Sequence, residues 1–233
     1  MKLPEVLLNL LFPPKCPFCG KVQDAVGICT NCEKELPRVP DAEAVRKGPD
    51  GVCCAGAVWY EGTVRDALLR FKFEGAAEAA EPLGELLARC AAEQFGGEFD
   101  TVTWVPVSRK RLRSRGYDQA ERLAGAACRL WETEPVRLLE KVMDNPPQSG
   151  LHEAAARRAN VLGVYDAVGE IEGKRILLVD DICTTGSTLA ECVRVLEEAG
   201  AASVVCAVVA FTRQGNVHKS ATEWGCNHGI MSV

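Results

Sequence analysis

The segment from Arg175 to Ala210 restricts the fold more than any other part of this 233-residue chain. Ile176–Val179 is an unbroken apolar run of strand length, Leu189–Ala199 has the apolar period of a helix, and Ser203–Ala210 is a second apolar run. Gly200 stands where the helix must stop and where a positive φ suits its C-terminus. Strands without polar alternation, joined by a helix, pair in parallel and are buried on both faces. The alternation extends upstream. Val52–Tyr60 and Thr101–Val107 read as strands, Thr63–Phe73 and Ala76–Phe95 as helices, Asp118–Trp131 as a helix with Asp118 at its N-cap, and Val136–Leu139 as a short strand. The expected fold class is α/β, a mostly parallel sheet flanked by helices.

Between the first apolar strand and its helix lie the residues with the clearest chemistry. Asp180 and Asp181 are expected where the strand leaves the sheet, and Thr184, Thr185, Gly186, Ser187 and Thr188 then turn into the helix. In open α/β sheets, ligands collect at the carboxyl ends of strands. Two carboxylates there suit a vicinal diol such as that of ribose. Hydroxyls and backbone N–H groups at a helix N-terminus suit one phosphate. Gly186 lets the backbone approach phosphate oxygens without a Cβ in the way. An acidic turn capped by threonines is the plain alternative, but diol acceptors and a phosphate cradle at one junction favour a sugar phosphate. The pattern is not a Walker loop, since no Lys follows the glycine.

A second strand end, Trp104–Ser108, runs into Arg109-Lys-Arg-Leu-Arg-Ser-Arg115, five cations in seven residues of a chain with net charge −5. With that overall balance, any nucleic-acid site must be a local patch rather than a whole face. The run is expected to be a cationic loop. Ser108, Arg109, Arg111, Arg113, Arg115 and Gln119 are candidates for clamping a diphosphate or neutralising a DNA backbone, and a solvated basic face is the alternative. Further along, Met143–His152 reads as a loop and Glu153–Ala159 as a short helix, with Arg157 and Arg158 as further candidates.

Near the N-terminus, Cys16-Pro-Phe-Cys19-Gly20 and Cys29-Thr-Asn-Cys32 form two CxxC pairs nine residues apart. Each pair can fold as a metal knuckle, and four thiolates suit a structural Zn²⁺ held by Cys16, Cys19, Cys29 and Cys32. A pair of redox dithiols is the rival, yet no βαβ context surrounds either motif. With no open coordination position, the metal holds a fold rather than catalysing. The remaining eight of the twelve cysteines are scattered through apolar segments, which fits free thiols in a reducing cytoplasm better than a disulfide scaffold. Val6–Phe12 is short for a secretory core, is broken by Asn9 and leads into Pro13-Pro14, so it reads as a short amphipathic helix. Ala201–Phe211 is too short to span a bilayer. No membrane insertion is expected, and the expected location is cytoplasmic.

The Ile176–Leu189 stretch resembles the phosphoribosyl-diphosphate loop of the type I phosphoribosyltransferases. With the four cysteines, Val105-Pro-Val with Arg115-Gly-Tyr-Asp-Gln119, and Pro146-Pro-Gln with Arg157-Arg-Ala-Asn-Val161, it forms a set of ordered motifs resembling the ComF competence family over about residues 5–213. Pro37–Asp50, with its prolines and mixed charges, reads as a linker (37–50) behind an N-terminal helix and zinc-ribbon-like module over residues 1–36. A phosphoribosyltransferase-like domain over 51–213 and a tail over 214–233 would follow. The resemblance assigns the ribose hydroxyls to Asp180 and Asp181 and the 5-phosphate to Thr184–Thr188. It further implies a role in natural transformation, handling single-stranded DNA with the DNA-uptake helicase of the competence machinery and binding phosphoribosyl diphosphate or a nucleotide. Two function classes stay open at this point. One is this nucleic-acid-handling role. The other is an active transferase moving phosphoribosyl onto an unidentified nitrogenous acceptor, with Mg²⁺ bridging the diphosphate.

Overall fold

The computed structural model describes residues 13–48, 51–143 and 163–213. Its centre is a five-stranded sheet in the order β1 (Val45–Lys47), β2 (Cys53–Trp59), β7 (Ser203–Phe211), β6 (Arg175–Cys183) and β3 (Thr101–Trp104). Only β1 is antiparallel. Side chains alternate along β6 and β7 between two apolar clusters, as continuous hydrophobic strands require. Leu177, Val179, Ala207 and Val209 face α2 (Gly62–Phe73), α3 (Ala80–Phe95) and α5 (Gln119–Leu130), which supply Leu68, Phe71, Leu83, Leu87 and Leu123. Ile176, Leu178, Cys206 and Val208 face α6 (Ser187–Glu198) through Leu189, Cys192, Val193 and Leu196. The α/β class and the mostly parallel sheet read from the sequence are both present. Gly200 has φ 94°, just past the end of α6, as expected. A Cβ at Gly84 would stand 2.4 Å from the Ala126 Cβ, so α3 and α5 pack at a distance that only a glycine permits.

Two elements differ from expectation in ways that bear on the site. β6 runs four residues beyond the apolar core of the strand, so Asp180 and Asp181 are part of the sheet, with Asp180 in register with Val208. The cationic run is not a loop. It is the short helix α4 (Arg109–Arg115), which begins at Ser108 and ends at Gly116 in the left-handed region. Its charge density hid it, because a helix so polar all round shows no apolar period.

The stretch 37–50, read as a linker, is built onto the sheet in its described part. The Trp59 N–H donates to Pro37 O (2.7 Å), the Val39 N–H donates to Ala57 O (3.1 Å), and β1 pairs with β2 at Val45–Ala55. An edge strand tolerates nearby prolines and charges, which is why it reads as linker. Arg46 provides its cover, with the guanidinium 4.7 Å from the Trp59 ring and 4.5 Å from Phe211.

Val136–Leu139 is also shifted. The strand β4 is Leu139–Lys141 and pairs antiparallel with β5 (Tyr165–Ala167) as a separate two-stranded sheet. Val136 instead donates its N–H to Val102 O (2.8 Å) at the β3 edge.

The cysteine-bearing segment carries the helix α1 (Thr30–Glu35) and docks on the α2 side of the sheet. Cys16, Phe18 and Leu36 belong to the same core as Leu68 and Phe71, and Arg70 donates to the carbonyls of Pro17 (2.6 Å) and Phe18 (3.1 Å). Among the described residues, no helix is long and apolar enough to cross a membrane. The expected helix at Val6–Phe12 and the tail from Gln214 lie outside the described residues.

Candidate functional site

The carboxyl ends of β3 and β6 open into a cleft of about 280 Å³. Asp180, Asp181 and Thr188 contribute one wall, and Val105–Val107 with Gln119 another. Lys72 enters from α2, Arg111 and Arg115 from α4, and Lys141 with Tyr165 from the small sheet. Lys72 Nζ lies 2.9 Å from Asp181 Oδ2, while Asp180 Oδ1 accepts the Asp181 N–H at 2.8 Å. Burial, and then the neighbouring Asp181 charge, push the Asp180 carboxyl well above the ordinary aspartate range. Burial works against the charge on Lys72, but the Asp181 carboxylate outweighs it and holds the ammonium above the usual lysine value. The floor of the cleft is thus two acidic side chains with one cation between strand and helix.

The Arg115-Gly-Tyr-Asp-Gln119 turn explains how the opposite wall is built. Arg111 and Arg115 are four residues apart, so they share a face of α4, and that face lines the cleft. Arg109 and Arg113 are exposed and do not line it. Gly116, at φ 81°, returns its N–H to Leu112 O (2.8 Å) and stops the helix. Tyr117 donates its hydroxyl to Phe71 O and packs its ring against Phe71, fixing the end of α2 that carries Lys72. Asp118 accepts from Ala120 N (3.0 Å) and Glu121 N (3.3 Å) as the N-cap of α5, and from Val107 N (2.8 Å) at the strand end.

Gln119 accepts from Arg115 Nη1 (2.7 Å) through Oε1, while among the described residues its buried Nε2 has no partner within hydrogen-bond geometry. Since a guanidinium only donates, the amide cannot be turned round, and the orphaned N–H is a donor awaiting an acceptor. Burial, and then the charge of Arg111, lower the pKa of Arg115. Cations gathered at that spacing, with an unused amide donor beside them, are the groups that suit an anion.

The remaining candidates divide. Ser108 is buried, and its hydroxyl accepts from Arg111 N (3.3 Å), so it caps α4. Thr188 lines the main cleft. Thr184, Thr185 and Gly186 line a smaller adjoining pocket of about 30 Å³ with Arg46, Cys54 and Cys183. Gly186 is left-handed at φ 75°, and the Thr185 and Ser187 hydroxyls lie 3.0 Å apart at the start of α6. Arg157 and Arg158 lie outside the described residues.

Apart from the cleft, the Sγ atoms of Cys16, Cys19, Cys29 and Cys32 all lie within 4.8 Å of one another, with Cys19 and Cys29 at 3.7 Å. Zn–S bonds of about 2.3 Å in a tetrahedron require sulfur–sulfur separations of about 3.8 Å, so the four thiols fit a closed zinc site. The turn is supplied by Gly20, at φ 72°, whose N–H donates to Cys16 O (2.9 Å). Burial opposes ionisation of Cys16, but backbone N–H groups at Cys29, Cys19 and Phe18 bring its thiol down to about 7, whereas burial and then the neighbouring thiols push that of Cys32 up, so the cluster shares its negative charge unevenly while no metal is bound.

Comparison with known proteins agrees with both parts. The family described as "Phosphoribosyl transferase domain" matches residues 112–231, and "Double zinc ribbon domain" matches residues 7–44. "Competence protein ComFC" of Streptococcus pneumoniae is 32% identical over 197 residues, covering 81% of this chain and 84% of that protein. The chain belongs to the ComFC family. "Competence protein ComFC" of Bacillus subtilis is 28% identical over 191 residues, covering 82% of this chain and 74% of that protein. "DNA utilization protein YhgH" of Salmonella typhimurium is 26% identical over 200 residues, covering 81% and 86%. In ComFC terms, the chain joins a four-cysteine zinc ribbon to a phosphoribosyltransferase-like domain.

For this ComFC chain, sequence reasoning singled out Asp180, Asp181, Arg111, Arg115, Gln119 and Thr188, and the fold brings all six to one cleft. Lys72, Lys141 and Tyr165 escaped it. Lys72 stands between two phenylalanines at a helix end and reads as a solvated terminal cation. Lys141 and Tyr165 reach the cleft only because β4 and β5 pair over it, and no local signal marks them.

Proposed function

We propose that the cleft binds the ribose and phosphates of phosphoribosyl diphosphate or of a nucleotide, and that the chain handles single-stranded DNA during DNA uptake. One observation carries the reading. Lys72, Arg111 and Arg115 surround the same cavity that holds Asp180 and Asp181, at the carboxyl ends of parallel strands. Carboxylates suit a sugar diol, and the cations and the Gln119 donor suit phosphate oxygens. Mg²⁺, when bound with a diphosphate, neutralises part of its charge. The names of the relatives, competence and DNA utilization, favour a nucleic-acid role over small-molecule transfer. So does the added zinc ribbon, which a small-molecule transferase does not need.

Calorimetry with phosphoribosyl diphosphate and Mg²⁺ tests the sugar-phosphate part. Replacing Asp180 and Asp181 together with Asn should weaken binding at least about tenfold, roughly 1.4 kcal/mol. Binding unchanged by the pair of substitutions would remove both acids from the ligand. For the DNA part, the parent chain should retard a single-stranded oligonucleotide at low salt and lose it steeply as salt rises, because each neutralised phosphate releases counterions. No retardation at low salt, together with phosphoribosyl-diphosphate binding, would favour an active transferase instead.

A further inference from the structure

We infer that Phe73 is a stacking platform for an unpaired nucleobase of single-stranded DNA at the cleft, an inference that rests on the DNA-handling reading above. Phe71, two residues earlier on α2, is fully buried, whereas Phe73 is 66% exposed. A single exposed apolar side chain needs no explanation by itself. The position of Phe73 is specific. Lys72, its neighbour in the chain, lines the cleft, and the Arg115 guanidinium, which lines the cleft too, lies 5.0 Å from the centre of the Phe73 ring. An exposed aromatic ring, a guanidinium on it and further cations beside it are the parts with which proteins hold unpaired strands. The cations take the phosphates, and the ring takes a base through its π face without regard to sequence. A strand whose phosphate meets Lys72 or Arg115 thus has a base within reach of Phe73.

The experiment compares two fluorescent probes of equal length, an oligothymidylate and an oligomer of abasic sites, by anisotropy at low salt. Both carry the same phosphates, and only the first can stack. Phe73→Ala should weaken oligothymidylate binding about fivefold or more. It should leave the abasic oligomer near the parent value, and Phe73→Tyr should restore thymidylate binding. Equal affinity of parent and Phe73→Ala for oligothymidylate overturns the stacking role alone. Equal losses on both probes also overturn it, because Phe73 would then act only by holding Arg115. A parent chain that binds neither probe overturns the DNA-handling reading and this inference with it.

Discussion

Asp180 is the residue at which function and stability pull in opposite directions. Its side chain is half-buried at the cleft beside Asp181, and the lost hydration there, then the Asp181 charge, raise its pKa in the folded chain above that of an unfolded aspartate, about 3.9. The folded state therefore retains a proton that the unfolded state has lost. This contribution to stability is present at low pH and is lost as pH rises from about 4 through the folded value. An Asn at this position keeps the acceptor for the Asp181 N–H and never ionises. Asp180→Asn should consequently raise the thermal midpoint of the ligand-free chain, by about 2 °C or more at pH 7.5. The gap to the parent should shrink towards pH 4. A midpoint difference independent of pH would show that Asp180 does not titrate as its burial demands. At this scale the sequence was informative where chemistry and local pattern coincide: two acids at the end of an apolar strand announce themselves. Lys72 did not, because its partner Asp181 comes from a distant segment and only the fold pairs them.

At the scale of elements, α4 turns a run of charge into a directed surface. A loop would present its five cations without order, whereas a helix assigns Arg111 and Arg115 to the cleft and leaves Arg109 and Arg113 outside it. Replacing Arg111 and Arg115 together with Ala should weaken phosphoribosyl diphosphate binding by about tenfold or more. The pair Arg109→Ala and Arg113→Ala should alter it less than about twofold, since exposed charges away from the ligand are screened. Calorimetry at physiological ionic strength checks both, and equal effects of the two pairs would reject a directed helix face. Segment periodicity made α2, α3, α5, α6 and the long strands readable. It failed at β1 and α4 for one reason: neither element owes its conformation to an apolar period of its own. β1 is held by the ladder to β2, and α4 by its caps at Ser108 and Gly116.

Across the whole molecule, the zinc ribbon and the sheet share one core, so metal binding and domain stability are linked. Cys16 and Phe18 pack with Leu68 and Phe71, and Arg70 ties α2 to the first knuckle. Cys16→Ser should abolish stoichiometric zinc in metal analysis and lower the thermal midpoint of the entire chain, not merely melt a separate N-terminal unit. Full zinc retention would refute the four-thiol site, and an unchanged midpoint would refute the linkage. The two parts were legible separately, the cysteines by their spacing and the sheet by its apolar runs. Their shared core was not, because it depends on side chains such as Arg70 that carry no sign of their destination. Neighbours in the sheet are not neighbours in order of synthesis. β2 lies between β1 and β7, and β7 is among the last described segments of the chain. At about 5–20 residues per second on the ribosome, β2 waits roughly 8–30 s for its parallel neighbour to be made. The four thiols are complete long before that, so the ribbon can close on its metal while β7, and the β6 strand whose end carries Asp180 and Asp181, have yet to be synthesised.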